Sequence, residues 1–129
     1  MAPTLNAIGL VVADMARSLT FYRKLGLAIP AEMDQAPHAE VEVAGMRLMW
    51  DTEQTITSFD QGWTRGSGGP QVSFAFECAD PAEVDRVHAE MVAAGYDSHL
   101  KPWDTPWGQR YAILHDPDGN GVDLYASLS

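Results

Sequence analysis

The chain has 129 residues, 46% of them hydrophobic, and eighteen acidic against eight basic side chains give it a formal net charge of −10. That length suits one compact domain or two small modules sharing a core, and no apolar run approaches the roughly 20 residues of a membrane-spanning helix. Such a charge disfavours nucleic acid and anionic lipid as partners and draws in cationic small molecules, although solubility alone also accounts for it.

The opening Met1 to Thr4 has neither the basic nor the apolar region of a secretory signal. The lone Cys78 rules out an internal disulfide, so the cytoplasm is the expected location. Cys78 closes an apolar run from Val72 with no His, Lys or Arg beside it in sequence. It reads as a buried structural thiol rather than a nucleophile.

In chain order, Leu5 to Val12 reads as a buried strand. Asp14 then caps a helix whose apolar stripe is Met15, Leu19, Tyr22 and Leu25, and Gly26 closes it. Three strand-like pieces are expected next, around Leu27 to Met33, His38 to Val43 and Met46 to Asp51, with Ala44-Gly45 as the turn between the last two. Thr52 to Pro70 has no sustained period and is rich in Thr, Ser and Gly, which predicts a long connecting loop carrying Phe59 and Trp63. The opening pattern then returns. Val72 to Cys78 is a strand, and Asp80, Pro81 and Glu83 form a capping box before a helix striped by Val84, Val87, Met91 and Val92. Gly95 ends that helix, and strands are expected at Ser98 to Trp103, Gln109 to His115 and Gly121 to Ala126. The last two are joined by the turn Asp116-Pro117-Asp118-Gly119-Asn120.

Ala13-Asp14 and Ala79-Asp80 stand at the same joint, 66 positions apart, so the chain reads as an internal repeat. The expected architecture is α+β: two βαβββ modules, paired so that curved mixed sheets enclose a trough. Module one spans residues 1–55, the linking loop 52–70 and module two 70–129, within one domain. A ligand is expected in the trough.

The run Gly9 to Leu27, the start of the second module and the final hairpin resemble the vicinal oxygen chelate superfamily, which groups glyoxalase I, extradiol dioxygenases and the fosfomycin and bleomycin resistance proteins. Pro106-Trp107-Gly108 followed by Asp116-Pro117, Gly119-Asn120 and Ala126 is most similar to the bleomycin resistance-like, antibiotic-binding branch. The resemblance implies metal ligands in the first and last strands of each module. The corresponding positions hold Ala7, Ser73, the stretch Arg47 to Met49, and Asp123. Of these only Asp123 offers a metal-binding side chain, whereas a divalent site needs three or four ligands. No metal and no other cofactor is therefore expected. His38, His88, His99 and His115 lack the spacing of a ligand pair and read as surface or capping residues.

Four tryptophans suit stacking on a flat heterocycle or a cation. The candidate ligand-binding residues are Trp50, Phe59, Trp63, Trp103, Trp107, Arg110, Asp123 and Tyr125. Each has a plainer alternative: core filling for a tryptophan, a surface pair for Arg110, a locally satisfied acid for Asp123. Two functions stay open. One is a protein that sequesters an aromatic or cationic, antibiotic-like compound without turnover. The other is an enzyme of the same fold, a lyase, isomerase or hydrolase acting on a small carbonyl or natural-product substrate, with Asp123 as the candidate for general acid–base work. The resemblance also implies a homodimer.

Overall fold

The computed structural model describes residues 2–69 and 72–129, which form two compact units divided between Gly66 and Ser67. The fold is α+β, with one mixed sheet and one main helix in each unit.

In the first unit, β1 (Ala7–Val12) leads into α1 (Met15–Lys24). Asp14 holds an extended backbone and accepts a hydrogen bond from the Arg17 N–H at 3.0 Å, which satisfies one of the free donors at the helix start. Gly26, at φ 109°, ends the helix in a conformation that a side chain would resist. Strands β2 (His38–Val43) and β3 (Met46–Thr52) form a hairpin around Ala44 and Gly45, both at positive φ, as a two-residue turn requires. The sheet order is β1-β3-β2, with β1 parallel to β3. Leu10, Val12, Ala39 and Trp50 from the sheet are buried, as are Leu19, Phe21 and Tyr22 from the helix. Each large apolar side chain so buried contributes about 2 kcal/mol.

Two predicted features take a different form. The piece around Leu27 to Met33 is no strand: its second half belongs to a 3-10 helix, Ala31–Gln35. Pro30 has no N–H for a sheet ladder. Arg23 of α1 folds the segment back on the helix, donating to the Ile29 carbonyl at 2.7 Å, the Pro30 carbonyl at 3.1 Å and Asp34 at 2.7 Å. The first module thus has three strands where four were expected. The predicted loop from Thr52 opens with a short helix, α2 (Glu53–Thr57), because Thr52 caps the Thr55 N–H and the Thr57 hydroxyl donates back to the Glu53 carbonyl. The loop's predicted end at Pro70 lies outside the described residues.

In the second unit, β4 (Ser73–Glu77) leads into α3 (Pro81–Ala93). The capping box is complete: Asp80 accepts from the Glu83 N–H at 2.8 Å, and the Glu83 side chain accepts from the Ala79 N–H at 2.9 Å. Strands β5 (Asp97–Asp104), β6 (Gln109–His115) and β7 (Gly121–Ser127) complete a sheet of order β4-β7-β6-β5. Ala112, Leu114, Val122, Leu124 and Ala126 are buried with Val84 and Met91 of α3. The alternate residues of β6 and β7 therefore occupy the opposite, open face of the sheet.

Candidate functional site

The open face of the second sheet carries an aromatic group built by strand register. Tyr111 of β6 stands opposite Tyr125 of β7, and Trp103 of β5 stands opposite Tyr111. The two tyrosine rings lie nearly parallel, 27° apart, with centroids at 6.3 Å. Trp103, Trp107 and Tyr111 meet edge to face pairwise, at 6.5 Å between the tryptophans and 5.6 and 5.9 Å to the tyrosine. This is the geometry that aromatic quadrupoles favour. An open cavity of about 300 Å³ is lined by Ala75, Gln109, Tyr111 and Tyr125.

Asp123 joins the group across the diagonal of the β6–β7 ladder. The Tyr111 hydroxyl donates to its Oδ2 at 2.5 Å, and both residues are half-buried. Burial first, then that hydrogen bond and the neighbouring carboxylate, push the Tyr111 phenol up to about 12. Tyr111 therefore keeps its proton at neutral pH and acts as the donor of the pair.

The loop before β6 fixes Trp107. The Thr105 N–H and hydroxyl both donate to the Gln109 carbonyl, at 2.8 and 3.0 Å, and the Gln109 N–H donates back to the Thr105 hydroxyl at 3.1 Å. Gly108, at φ 88°, closes the turn. Trp107 keeps 61% of its surface exposed, and its Nε1–H donates to Gln109 Oε1 at 2.9 Å. The turn after β6 is held by Asp116, which is buried: one oxygen accepts from the backbone N–H groups of Asp118 and Asn120, the other from the Asn120 amide. The Asp-Pro-Asp-Gly-Asn motif thus sets the hairpin that brings Tyr111 to Asp123.

Of the eight predicted contact residues, the structure gathers Trp103, Trp107, Asp123 and Tyr125 on this face. Of the other four, three belong to the first unit and Arg110 to the helix side of the second sheet. Trp50 is fully buried in the first unit, edge to face with Tyr22 at 5.7 Å, so its ring is core. Arg110 has the opposite strand parity to Tyr111, and its guanidinium is held by Asp85 at 2.9 Å and Asp104 at 3.1 Å. Phe59 and Trp63 belong to the first unit, where Phe59 is exposed and Trp63 has Arg65 over its ring at 5.9 Å. Tyr111 and Gln109 were absent from the prediction. Strand alternation was the signal for both, since each stands an even number of places from the other along one run.

The first unit's open face is ionic rather than aromatic. His38 Nδ1 lies 2.6 Å from Asp51, its Nε2 lies 3.4 Å from Glu40, and Arg47 reaches Glu40 at 3.2 Å. The Asp51 hydrogen bond, partly offset by burial, raises His38 above the ordinary histidine value. One further histidine departs from its surface reading: His88 is buried, 2.7 Å from Ser98, and that burial lowers its pKa, whereas His115 stacks on the exposed His99 at 4.8 Å across the β5–β6 pair. Burial pushes the Cys78 thiol up.

At the superfamily's metal positions the donor set does not fit a divalent ion. Ala7 has no donor atom, Ser73 offers a neutral hydroxyl against Gly121, and Asp123 already accepts from Tyr111. Among the described residues, no cluster of three or more His, Cys, Asp or Glu has metal-holding geometry. No helix of the described residues is long and apolar enough to cross a membrane.

Residues 4–124 match the family model of the Glyoxalase/Bleomycin resistance protein/Dioxygenase superfamily. Among solved structures, a glyoxalase/bleomycin resistance protein/dioxygenase from Nocardioides is 26% identical, with TM-score 0.77 over 100% of this chain and 86% of that one. A family enzyme from Burkholderia phytofirmans PsJN shares the fold at TM-score 0.82 and 16% identity, over 98% and 100% of the two chains. A lactoylglutathione lyase from Agrobacterium tumefaciens does so at TM-score 0.68 and 21% identity, over 98% and 95%. No curated protein sequence matches the chain.

Proposed function

The chain belongs to the glyoxalase/bleomycin resistance protein/dioxygenase superfamily, and within it we infer a metal-independent binding protein of the bleomycin resistance type that sequesters a flat, cationic organic compound. One observation carries this reading: the packed Trp103–Trp107–Tyr111 cluster, with Tyr125 and the acid Asp123 on the same face. Aromatic faces attract cations, by about 0.5 to 2 kcal/mol per contact. Asp123 Oδ1 adds an acceptor, and the net charge of −10 favours encounter. The cavity of about 300 Å³ is at the small end for ligand sites and suits a one- or two-ring compound. Calorimetric titration with N-methylquinolinium tests the reading. Binding that falls at least tenfold in Trp107→Ala is expected, and a wild-type protein that takes up no such cation contradicts it.

The Tyr111–Asp123 pair favours a second reading, an enzyme on a small carbonyl or natural-product substrate in which Asp123 takes up a proton. Turnover that is abolished in Asp123→Asn with the fold retained would establish it. A homodimer is proposed as well. Within its sheet β1 is an edge strand, and Leu5 just before it and Ile8 within it are exposed, an edge that a second copy would cover. Light scattering at a mass of two chains is the expected result.

A further inference from the structure

We propose that Gln109 determines specificity by donating a hydrogen bond to the ligand, so that the preferred compound carries an acceptor, such as a carbonyl oxygen, at the edge opposite its cationic end. The inference rests on the binding reading above and adds a polarity to it.

The orientation of the Gln109 amide follows from its partner. An indole N–H can only donate, so the atom facing Trp107 Nε1 at 2.9 Å must be the carbonyl oxygen. The NH₂ group is thereby turned away from Trp107. It donates no hydrogen bond among the described residues, and Gln109 lines the cavity. The backbone of Gln109 is fixed by three hydrogen bonds with Thr105, so the amide is held before any ligand arrives.

The other end of the same face offers acceptors to a ligand donor. The Tyr111 hydrogen is spent on Asp123, which leaves the phenol lone pairs and Asp123 Oδ1. Gln109 stands opposite Ser127, and Asp123 opposite Ile113, so the two are four ladder positions apart. At about 3.3 Å per residue that is roughly 13 Å. Two hydrogen bonds of about 3 Å each leave about 7 Å between them, the span of a one- or two-ring system lying over Tyr111 and Tyr125.

The test compares two probes by calorimetry: N-methylquinolinium, and the same cation bearing a ring methyl ester, which can accept but not donate. The expected result is that the wild-type protein binds the ester about five- to tenfold tighter, as one hydrogen bond allows. In Gln109→Leu that preference falls below about twofold. Gln109→Glu keeps an acceptor for Trp107 but replaces the NH₂ with a second oxygen, so it binds both cations yet loses or inverts the preference. A wild-type protein that binds both probes equally, or a preference that survives in Gln109→Glu, overturns the role of Gln109 and leaves the binding reading standing. Binding of neither probe overturns both.

Discussion

The two units start from the same instructions and end with different faces. Each runs strand, aspartate cap, helix and closing glycine, with Asp14 and Asp80 accepting from N–H groups three residues on and Gly26 and Gly95 at φ 109° and 95°. They diverge just after the glycine. In the first unit Pro30 and the Arg23 clamp fold the next segment into a 3-10 helix, leaving three strands and an ionic face of His38, Glu40, Arg47 and Asp51. In the second unit that segment becomes β5, which brings Trp103 against Tyr111 and gives Trp107 a surface to lean on. A fourth strand is therefore what separates a polar sheet face from an aromatic one.

The largest expected effect separates the two kinds of tryptophan. Trp50→Ala empties the first unit's core and is expected to cost about 4 kcal/mol in urea unfolding, whereas Trp107→Ala costs under about 1 kcal/mol and acts on binding instead. Equal costs for the two would erase the distinction drawn between them.

Next comes Asp116→Ala, which strands two half-buried backbone donors and the Asn120 amide in the second unit's final turn. It is expected to lower stability by about 3 kcal/mol and to loosen the Tyr111–Asp123 contact. A change under 0.5 kcal/mol, on the order of an ordinary surface substitution, would show that the turn holds without it.

The caps probe what the units share. Asp14→Ala and Asp80→Ala are each expected to cost about 1 kcal/mol, measured by the same unfolding experiment. A clear inequality would mean that the repeat is one of pattern rather than of energetics.

The smallest effects depend on pH and have opposite signs. The folded form of His38 binds its proton more tightly than the unfolded chain does. Its contribution is complete below about 6.5 and is lost as pH rises through the raised folded value. His88 is held neutral by burial, so its contribution is lost as pH falls below about 6.5. His38→Asn is expected to remove the alkaline decline, which is under about 1 kcal/mol for so exposed a pair, and to leave the acid side unchanged. Thermal melts across pH 5 to 8, the range over which histidine titrates, resolve the two.

Most of the scaffold was legible in the sequence because local chemistry dictates it: caps, closing glycines, the Ala44-Gly45 turn and the Asp-Pro-Asp-Gly-Asn turn each act within a few residues. Arg23's clamp was not, since its partners Ile29, Pro30 and Asp34 are chosen by folding rather than by periodicity. On the open face of the second sheet, the acid and three of the aromatics were named from composition and motif. Arg110 and Tyr111 were exchanged, because neighbours on a strand point to opposite faces and only the pairing of β6 with β7 shows which face is open. Trp50 was misplaced for a related reason: a tryptophan at a strand end reads the same whether the helix covers it or not.

The comparison of the two faces is tested most directly by following the four indole N–H signals and the backbone amides by NMR while N-methylquinolinium is added. The account predicts shifts at the indoles of Trp103 and Trp107 and at the amides of Gln109, Tyr111, Asp123 and Tyr125, with the indole of Trp50 and the amides of His38 and Asp51 unmoved. Shifts confined to the ionic face of the first unit, or none at saturating cation, would contradict it.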